Sequence, residues 1–320
     1  MGKELDAMTT KDKVLQLLKK TPDFLSGEKL AQQLEVSRTS IWKAIKELEK
    51  AGYRFEHGPT GYRYLPSDVL DAKEIQQELR SFIPDLKVQT MLTSESTMKD
   101  AKLAAAHGDS VSKLFVADTQ EQARGRFGRP FFAEPGRGIY MSLLLHPDKR
   151  FDELPQYTII AASACVKAIE SVAGRSASIK WVNDIYMDGK KVCGILSEAV
   201  SDMESGRISH IIIGIGLNFS VPQNHFPADL QEKATSVFPD GQASITRNQL
   251  ISKIWQELFT YLSHPEKSFV LGKNVSFNQK GTTYVGLAKE IGDHGELIVQ
   301  TNEQEMSLSS GEISLTSIGS

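Results

Sequence analysis

The sequence has 320 residues, of which 40% are hydrophobic, 24% charged and 8% aromatic. This composition is typical of a globular chain of about two or three domains, and it excludes an intrinsically disordered protein. No apolar run approaches the ~18 residues that a spanning helix needs, and the first residues lack the apolar core of a signal peptide, so we expect a cytoplasmic protein. Residues 1–66 carry 12 Lys and Arg against 9 Asp and Glu, whereas residues 67–320 carry 25 against 31, so only the front of the chain is basic.

Several common kinds of chemistry lack their sequence motifs. Cys165 and Cys193 are too few for a disulfide framework and form no C-x-x-C pair, so we expect two buried thiols. The 7 histidines show no zinc-binding spacing, and we expect no metal site made by the chain itself. The G-x-S-x-G elbow and the phosphate loop of the P-loop enzymes are also missing, which excludes those two enzyme classes.

The N-terminal part of the chain predicts a winged helix-turn-helix. Amphipathic helices follow one another, the first over 9–20 and the next two after the capping residues Ser26 and Ser37. The apolar period then changes to two, and residues 53–55 and 62–64 alternate around a Gly-Pro-Thr-Gly turn, which predicts a hairpin. A tight connection between the second and third helices followed by a hairpin is the winged arrangement, in which the third helix enters the DNA major groove.

The third helix carries the candidate DNA-binding face. Its apolar residues recur at helical spacing on one side, and polar and basic residues lie opposite them. The residues that we expect to contact DNA are Ser37, Arg38, Thr39, Ser40, Trp42, Lys43 and Lys46. A lysine-rich face is usually only solvated, and a small protein-interaction module is the alternative. The complete element order, on the basic segment of the chain, favours DNA.

Beyond a linker at 66–68, strands alternate with helices. Predicted helices lie at 72–82, near 97–107, near 154–173 and near 246–262, and predicted strands at 87–92, 113–117, 138–145, 178–187, 191–200 and 208–215. Asp188-Gly189 predicts a direct hairpin, which favours an α+β mixed sheet over a doubly wound parallel one. Short strands alone follow residue 267 and predict a small β-barrel. The expected domains are therefore 1–66, 67–267 and 268–320.

The segment from Gln120 to Phe132 predicts a cationic loop. Arg124, Arg126 and Arg129 are interleaved with glycines directly after a predicted strand. Arginine forks bind phosphate or carboxylate, and glycines let the backbone close on a ligand, so the loop suits a nucleoside triphosphate or another polyanion. An RGG-like nucleic-acid contact is the alternative. The pair Phe131-Phe132 either stacks on a base or anchors the loop.

A lysine lies in the predicted strand 178–187. Alternation places Lys180 on the same face as Asp184, in an interior-looking segment where an unpaired ammonium is very costly. Its partner is therefore a carboxylate, Asp184 or Glu198, or else an anion at a reacting centre.

The apolar run that ends in Gly214-Ile215-Gly216-Leu217-Asn218 resembles the start of a dinucleotide-binding fingerprint. The third glycine is missing, and the residues after Asn218 do not open a helix. We expect these glycines to allow the close approach of a ligand or neighbour instead.

With these segments in place, the chain resembles the bifunctional biotin protein ligase and biotin operon repressor family over essentially its whole length. The resemblance is carried by the winged helix-turn-helix at 9–65, Ser96-Thr97, Gln120 with Arg124-Gly125-Arg126-x-Gly128-Arg129, Lys180-Trp181-Val182-Asn183-Asp184, Lys191-Val192-Cys193-Gly194-Ile195-Leu196, Gly214 to Asn218, and Ser310-Gly311-Glu312. It implies a ligase domain of the class II synthetase type and a C-terminal SH3-like β-barrel.

The resemblance also implies a two-step reaction. The biotin carboxylate attacks the α-phosphorus of ATP, carried with Mg²⁺, to give biotinyl-5′-adenylate and pyrophosphate. An acceptor lysine on the biotin carboxyl carrier protein of a carboxylase then takes the biotin. The implied partners are this carrier protein, operator DNA and, in the adenylate-bound state, a second copy of the chain.

Site residues follow from the same resemblance, with Lys180 and Arg124 in catalytic roles. The implied biotin-binding residues are Ser96, Thr97, Met98, Gln120, Arg124, Gly125, Arg126, Lys180, Gly194, Gly214 and Gly216. The implied ATP- and adenylate-binding residues are Arg126, Arg129, Phe131, Asn183, Lys191 and Asn218.

The sequence departs from the family pattern at three positions. Ala123 stands where a glycine is usual, Met98 where an asparagine is usual, and Ser310 where a glycine is usual. Two other functions remain as alternatives, a repressor that senses a metabolite without catalysis and a lipoate-type ligase. The four cations Arg124, Arg126, Arg129 and Lys180 argue against the non-catalytic sensor, and the DNA-binding module favours biotin over lipoate.

Overall fold

The computed structural model describes residues 8–108, 110–125, 128–147, 149–150, 157–180, 183–201, 207–264, 271–272, 274–279, 282–292 and 296–308. For residues 149–150, 180, 201, 274–279, 283 and 291 it describes the backbone without the side chain. The chain divides into two compact units, one that ends at Val69 and one that begins at Leu70. A further boundary at residue 267 stays a prediction.

The first unit is a bundle of helices followed by a hairpin. Its elements are α1 (Thr10–Lys20), α2 (Gly27–Leu34), α3 (Arg38–Lys50), β1 (Arg54–Gly58) and β2 (Gly61–Leu65). The hydroxyls of Thr9, Ser26 and Ser37 accept a backbone N–H from the first turn of the helices that follow, at 3.3, 3.1 and 3.1 Å. Each cap satisfies a donor that the helix leaves unpaired, and the helix starts predicted from the sequence are confirmed.

One apolar core holds this unit together. Its fully buried members include Val14, Leu18, Leu30, Ile41, Ile45 and Leu48. The hairpin joins the bundle through Leu25 and Tyr62, whose backbone groups exchange two hydrogen bonds of 2.9 Å. Gly61, at φ +139°, lies so close to the Leu25 carbonyl that a Cβ atom would overlap it. A glycine is therefore required where the hairpin meets the α1–α2 connection.

The second unit is built on a mixed sheet. Its elements up to residue 263 are α4 (Ala72–Leu79), β3 (Lys87–Ser94), α5 (Thr97–Ala106), β4 (Lys113–Gln120), β5 (Gly138–Leu145), β6 (Lys149–Arg150), α6 (Tyr157–Ala173), β7 (Ser178–Lys180), β8 (Asp184–Met187), β9 (Lys190–Ser201), β10 (Arg207–Asn218) and α7 (Arg247–Ser263). The strand order is β3-β4-β5-β10-β9-β8-β7, and β6 pairs with the start of β10. Strands β3 and β4 are parallel and the other described pairs are antiparallel, which confirms the predicted mixed sheet.

Helices cover both faces of this sheet. Leu143 and Ile213 belong to the large core shared with α6 and α7, whereas their strand neighbours Leu144 and Ile212 pack with the alanines of α5. Successive strand residues point to opposite faces, so α5 lies on the face opposite α6 and α7. This arrangement brings the first turn of α5 to one face of the sheet near the ends of β4 and β10.

The prediction of one continuous strand over 178–187 is wrong. The chain reverses between β7 and β8, which pair antiparallel with Lys180 opposite Asp184. Trp181 and Val182 lie outside the described residues. The carboxylates of Asp184 and Glu198, expected as structural partners of Lys180, contact Lys191 at 2.8 Å and Lys102 at 2.7 Å, and the side chain of Lys180 lies outside the described residues. Period-two alternation is the same in one long strand and in a tight hairpin, so the pattern did not reveal the turn.

The C-terminal region is a small antiparallel sheet. Strands β11 (Asn274–Gln279), β12 (Thr282–Ile291), β13 (Leu297–Thr301) and β14 (Glu305–Leu308) pair in chain order. Ala288, Leu297 and Val299 are buried in the same core as the mixed sheet that contains β3 to β10. The α+β fold class is confirmed. Within the described residues, no helix is both long enough and apolar enough to cross a membrane.

A buried ion pair joins α7 to the sheet and predicts a large stability effect. The Arg247 side chain is 3% exposed and contacts Asp118 at 2.8 Å, and it also donates to the Gly138 carbonyl at 3.3 Å. Arg247→Ala should lower the free energy of unfolding by about 3 kcal/mol, because it leaves a partly buried carboxylate without its guanidinium. Urea unfolding measures this change.

The matched control for Arg247 is an exposed pair. Lys99 contacts Glu95 at 2.6 Å with both side chains largely in solvent, and Lys99→Ala should cost less than about 1 kcal/mol. Equal losses in the two variants would contradict the importance of the buried pair.

Candidate functional site

A cavity of about 190 Å³ opens where α5 begins. Its wall combines the first turn of α5, the loop after β4, and parts of β5, β9 and β10. The structure brings most of the predicted site residues to this wall. They are Ser96, Thr97, Met98, Gln120, Arg124, Gly125, Gly194, Gly214 and Gly216 from the biotin set, and Arg129, Phe131, Asn183 and Lys191 from the ATP set.

A hydrogen-bonded trio of polar side chains lies at one end of the cavity. The Thr97 backbone N–H donates to Gln120 Oε1 at 2.7 Å, and Thr97 Oγ1 lies 3.2 Å from the same oxygen. Thr97 Oγ1 is also 2.8 Å from Ser142 Oγ. Ser96 is the N-cap residue of α5 but makes no capping bond with its side chain. The start of α5 is thus held from outside by Gln120, and polar groups converge on the cavity.

Glycines on β10 let two side chains lie directly on the strand. A Cβ atom at Gly214 would be 2.5 Å from Met98 Sδ, and one at Gly216 would be 3.1 Å from the Phe131 ring. Phe131 also meets Tyr140 edge-on, with ring centroids 6.5 Å apart. Phe131 therefore anchors the cationic loop onto the sheet. The expected close approach at these glycines is observed, with side chains of the chain itself as the neighbours.

The described part of the cationic loop folds back on itself. Gly125 N–H donates to the Arg129 carbonyl at 2.8 Å, and Phe131 N–H donates to the Ala123 carbonyl at 2.9 Å. Arg124 donates to the Gly128 carbonyl at 3.1 Å. Ala123 has no positive φ, so the alanine fits the loop without backbone strain. Arg126 lies outside the described residues.

A lysine and a carboxylate face each other on the cavity wall. Lys191 Nζ is 2.8 Å from Asp184 Oδ1, and both side chains are partly buried. The backbone of Lys191 is held on both sides, since its N–H donates to Lys233 and its carbonyl accepts from Thr235. Lys191 therefore presents a cation at a defined position in the cavity. The side chain of Lys180, the predicted catalytic lysine, lies outside the described part of the chain.

Two residues stand apart from the predicted set that lines the cavity. Asn218 is not among the residues that line the described cavity, and its buried side-chain amide donates to the Thr235 carbonyl at 3.0 Å. Ser142 borders the cavity but was not identified from the sequence. Its signal was a lone polar residue in the apolar run of β5, a strand whose eight residues are all buried. Ser310 lies outside the described residues.

The two cysteines are buried and free, as expected. Burial, together with the neighbouring Cys193 thiol, raises the pKa of the Cys165 thiol well above its ordinary value. Such a thiol is inert rather than nucleophilic. Among the described residues there is no group of three or more His, Cys, Asp or Glu side chains suited to a metal ion.

In the first unit, an open groove separates α3 from the β1–β2 turn. Arg38, Thr39 and Trp42 line its helix side, and residues 57–62 line the hairpin side. Trp42 is 53% exposed although it is a large aromatic residue. Lys43 and Lys46 are exposed as well. The predicted DNA-contacting face of α3 is therefore accessible.

Three of the predicted DNA-contacting residues, Ser37, Ser40 and Lys46, are already engaged within the unit, and the hydroxyls of Ser37 and Ser40 lie 2.9 Å apart. Ser37 caps α3 by accepting from Ser40 N–H at 3.1 Å. Lys46 contacts Glu49 at 2.8 Å, and the other oxygen of Glu49 contacts His57 of the hairpin at 2.6 Å. The hydrogen bonds from Lys46 and His57 lower the pKa of Glu49. This pairing leaves Lys43 as a more available cation than Lys46.

The fold and the cavity define a DNA-binding module linked to a domain of the biotin/lipoate ligase class. Residues 10–63 match the model described as HTH domain, 91–218 match the Biotin/lipoate A/B protein ligase family, and 270–316 match the Biotin protein ligase C terminal domain. The described cavity residues up to Gly216 all lie within the second match.

Relatives match over nearly the whole chain. The bifunctional ligase/repressor BirA of Bacillus subtilis (strain 168) is 35% identical over 308 residues, which is 92% of this chain and 94% of that protein. BirA of Escherichia coli (strain K12) is 24% identical over 323 residues, again 92% of this chain and 94% of that protein. A biotin protein ligase from Aquifex aeolicus, solved in complex with biotin and ATP, aligns with 27% identity and a TM-score of 0.51 over 72% of this chain and 98% of that one. The chain belongs to the family of bifunctional biotin ligase/repressor proteins.

Proposed function

We propose that the cavity binds biotin and ATP, joins them as biotinyl-5′-adenylate, and passes biotin to a lysine of a carboxylase carrier protein. The observation that carries this proposal is the union, on one cavity wall, of the Thr97–Gln120 polar cluster with Arg124, Arg129 and Lys191. The polar cluster suits a neutral head group, and the cations suit a carboxylate and phosphates.

Adenylate formation is mainly a problem of position and charge. The biotin carboxylate oxygen attacks the α-phosphorus of ATP, and the bond to the bridging oxygen breaks as pyrophosphate leaves. Arg124, Arg126, Arg129 and Lys191 are the proposed cations that bring two anions together and stabilise charge in the transition state, and Lys180 is proposed to join them. In the second step the acceptor amine attacks the carbonyl carbon of the anhydride, and AMP leaves.

Biotin is proposed to lie along β10, with Ser96, Thr97 and Gln120 at its ureido ring. Gly214 and Gly216 let Met98 and Phe131 lie directly on β10, so the ligand is proposed to rest on these two side chains, with Gly194 of β9 also at the cavity wall. Mg²⁺ enters as the counterion of ATP. Among the described lining residues the carboxylate is that of Asp184, and it is already paired with Lys191. This pairing fits a Mg²⁺ ion that is held chiefly by the phosphates of ATP.

The winged unit is proposed to bind operator DNA through the exposed face of α3. The residues proposed to contact DNA on this face are Ser37, Arg38, Thr39, Ser40, Trp42, Lys43 and Lys46. One unit with few phosphate contacts binds DNA weakly, so we expect two copies on a two-fold operator, assembled when the adenylate is bound.

Pyrophosphate release tests the proposed reaction. The purified chain is mixed with ATP-Mg²⁺ and either biotin, lipoate or neither. Pyrophosphate release is expected in the mixture with biotin, and not in the mixture with lipoate or with neither acid. Release with lipoate instead would show a lipoate-type ligase, and no release with either acid would show a sensor without catalysis.

The contact between Gly214 and Met98 gives a sharper prediction for biotin binding. Gly214→Ala should raise the KM for biotin at least ~10-fold, because the new methyl group displaces Met98 into the cavity. Adding Met98→Ala should recover most of this loss by restoring the space. Gly27→Ala is the matched control, because Gly27 lies outside the described cavity wall and a Cβ atom there meets only the Tyr62 ring, at 3.7 Å. A double variant as weak as Gly214→Ala would contradict the contact as the cause.

A further inference from the structure

Resting on the proposed function, we propose that Ser142 is a positioning residue that sets the direction of the Thr97 hydroxyl. In this arrangement Ser142 donates its proton to Thr97 Oγ1, and Thr97 donates its own proton to the carbonyl oxygen of the ureido ring. Ser142 thereby makes the cavity selective for a head group that accepts a hydrogen bond.

Burial makes the Ser142 hydroxyl dependent on a partner. The residue is 0% exposed in the central strand β5. Among the described residues the hydrogen-bond partner of its hydroxyl is Thr97 Oγ1 at 2.8 Å, and either atom is geometrically able to donate. A buried hydroxyl without a partner is costly, so this contact is maintained.

The orientation of Gln120 fixes the first direction in the chain of hydrogen bonds. The Thr97 backbone N–H is a donor, and it lies 2.7 Å from the Gln120 side chain. A reversed amide would place an NH₂ group against that N–H, with two donors facing each other. Gln120 therefore presents its oxygen to Thr97, and its NH₂ group is directed away from that backbone N–H.

Counting protons then fixes the second direction. Gln120 Oε1 is an acceptor, so its 3.2 Å contact with Thr97 Oγ1 requires the threonine to donate. A hydroxyl has one proton, and the proton shared by Thr97 and Ser142 must therefore come from Ser142. The opposite direction would leave two oxygen lone pairs facing each other between Thr97 and Gln120.

A bound ligand replaces the 3.2 Å contact between Thr97 Oγ1 and Gln120 Oε1. Gln120 Oε1 keeps its 2.7 Å bond from the Thr97 N–H when the Thr97 proton turns away. Because Ser142 donates to Thr97 Oγ1, the Thr97 hydroxyl must use its own proton as a donor. A carbonyl oxygen of the ligand head group that accepts this proton completes the chain of hydrogen bonds. A head group without an acceptor leaves the Thr97 hydroxyl unpaired, and unpaired polar groups are how hydrogen-bonding sites reject analogues.

Kinetics of pyrophosphate release test this role. Ser142→Ala should raise the KM for biotin about 5- to 10-fold, change kcat less than about 2-fold, and leave the KM for ATP unchanged. Ser142→Thr, which keeps the hydroxyl, should restore the KM for biotin. Ser163→Ala is the matched control, because Ser163 is an equally buried serine of α6, outside the described cavity wall.

Two further arms separate positioning from packing. In a Thr97→Val background, Ser142→Ala should add less than about 2-fold, because the group that it orients is gone. With the imino analogue of biotin, whose ring carbonyl oxygen is replaced by a protonated nitrogen, Ser142→Ala should also change KM less than about 2-fold. If Ser142→Ala does not fold, Ser142→Cys supplies the same comparison with a weak donor of similar shape.

The outcomes distinguish this inference from the proposed function. No biotin-dependent release by the wild-type chain would overturn the proposed function itself. Release by the wild-type chain, with an unchanged KM for biotin in Ser142→Ala or with equal rises in the KM for biotin and for ATP, would overturn only the role of Ser142.

Discussion

Replacing Lys191 by alanine should slow adenylate formation by about 100-fold or more. The Lys191 ammonium lies on the cavity wall 2.8 Å from Asp184, and hydrogen bonds on both sides fix the backbone from which its side chain extends. A cation placed before the reaction stabilises the charge that develops at the α-phosphate, and losing one such group typically costs two to three orders of magnitude. The variant also leaves the Asp184 carboxylate to repel both substrates.

Single-turnover release of pyrophosphate, on protein shown to be folded, measures this loss. Lys190→Ala is the matched control, because the neighbouring Lys190 donates to the Gln231 carbonyl at 2.8 Å and is absent from the described cavity wall. Lys180→Ala belongs in the same experiment, with an expected loss of about 100-fold or more. A Lys191 variant within about 3-fold of wild type would contradict its role.

Operator DNA should bind about 10-fold or more tightly when the chain holds biotin and ATP. If the adenylate favours a dimer and two copies of α3 share one operator, then ligand and DNA stabilise the same state, and each strengthens the binding of the other. Titrations of operator DNA with and without both substrates measure this coupling. Tight operator binding by a ligand-free monomer would contradict it.

The exposed lysines of α3 give this account a residue-level test. Lys43→Ala should weaken operator binding and flatten the plot of log affinity against log salt by about one unit, because one phosphate contact is lost. Lys46→Ala should have a smaller effect, since Lys46 already contacts Glu49. Lys20→Ala, on α1, is the control, and ligation should be unchanged in all three variants. Equal salt dependence for wild type and Lys43→Ala would exclude a phosphate contact there.

The winged unit could be predicted from the sequence because its signals are local. Capping residues such as Thr9 and Ser26 mark helix starts, and the change from helical period to period two marks the hairpin. A local signal also predicted one turn of the second unit, since Asp188 and Gly189 both adopt positive φ between β8 and β9, as an Asp-Gly hairpin requires. Each of these features depends on a few consecutive residues.

The cavity could be assembled from the sequence only through the family resemblance. Thr97, Gln120 and Ser142 are distant along the chain, and no periodicity relates them. The chain reversal between Lys180 and Asp184 and the burial of Asn218 depend on tertiary packing, which period-two alternation does not encode. Ser142 was missed because a single serine in an apolar strand usually has only a packing role, whereas here its hydroxyl is hydrogen-bonded to Thr97.

A crystal structure of the full chain with biotin and ATP tests the central claim most directly. The account predicts biotinyl-5′-adenylate in the cavity at the start of α5, with the ureido oxygen within about 3.2 Å of Thr97 Oγ1 and the phosphate beside Lys191. Adenylate bound elsewhere on the chain, or biotin in this cavity with its ureido ring turned away from Thr97 and Gln120, would contradict it.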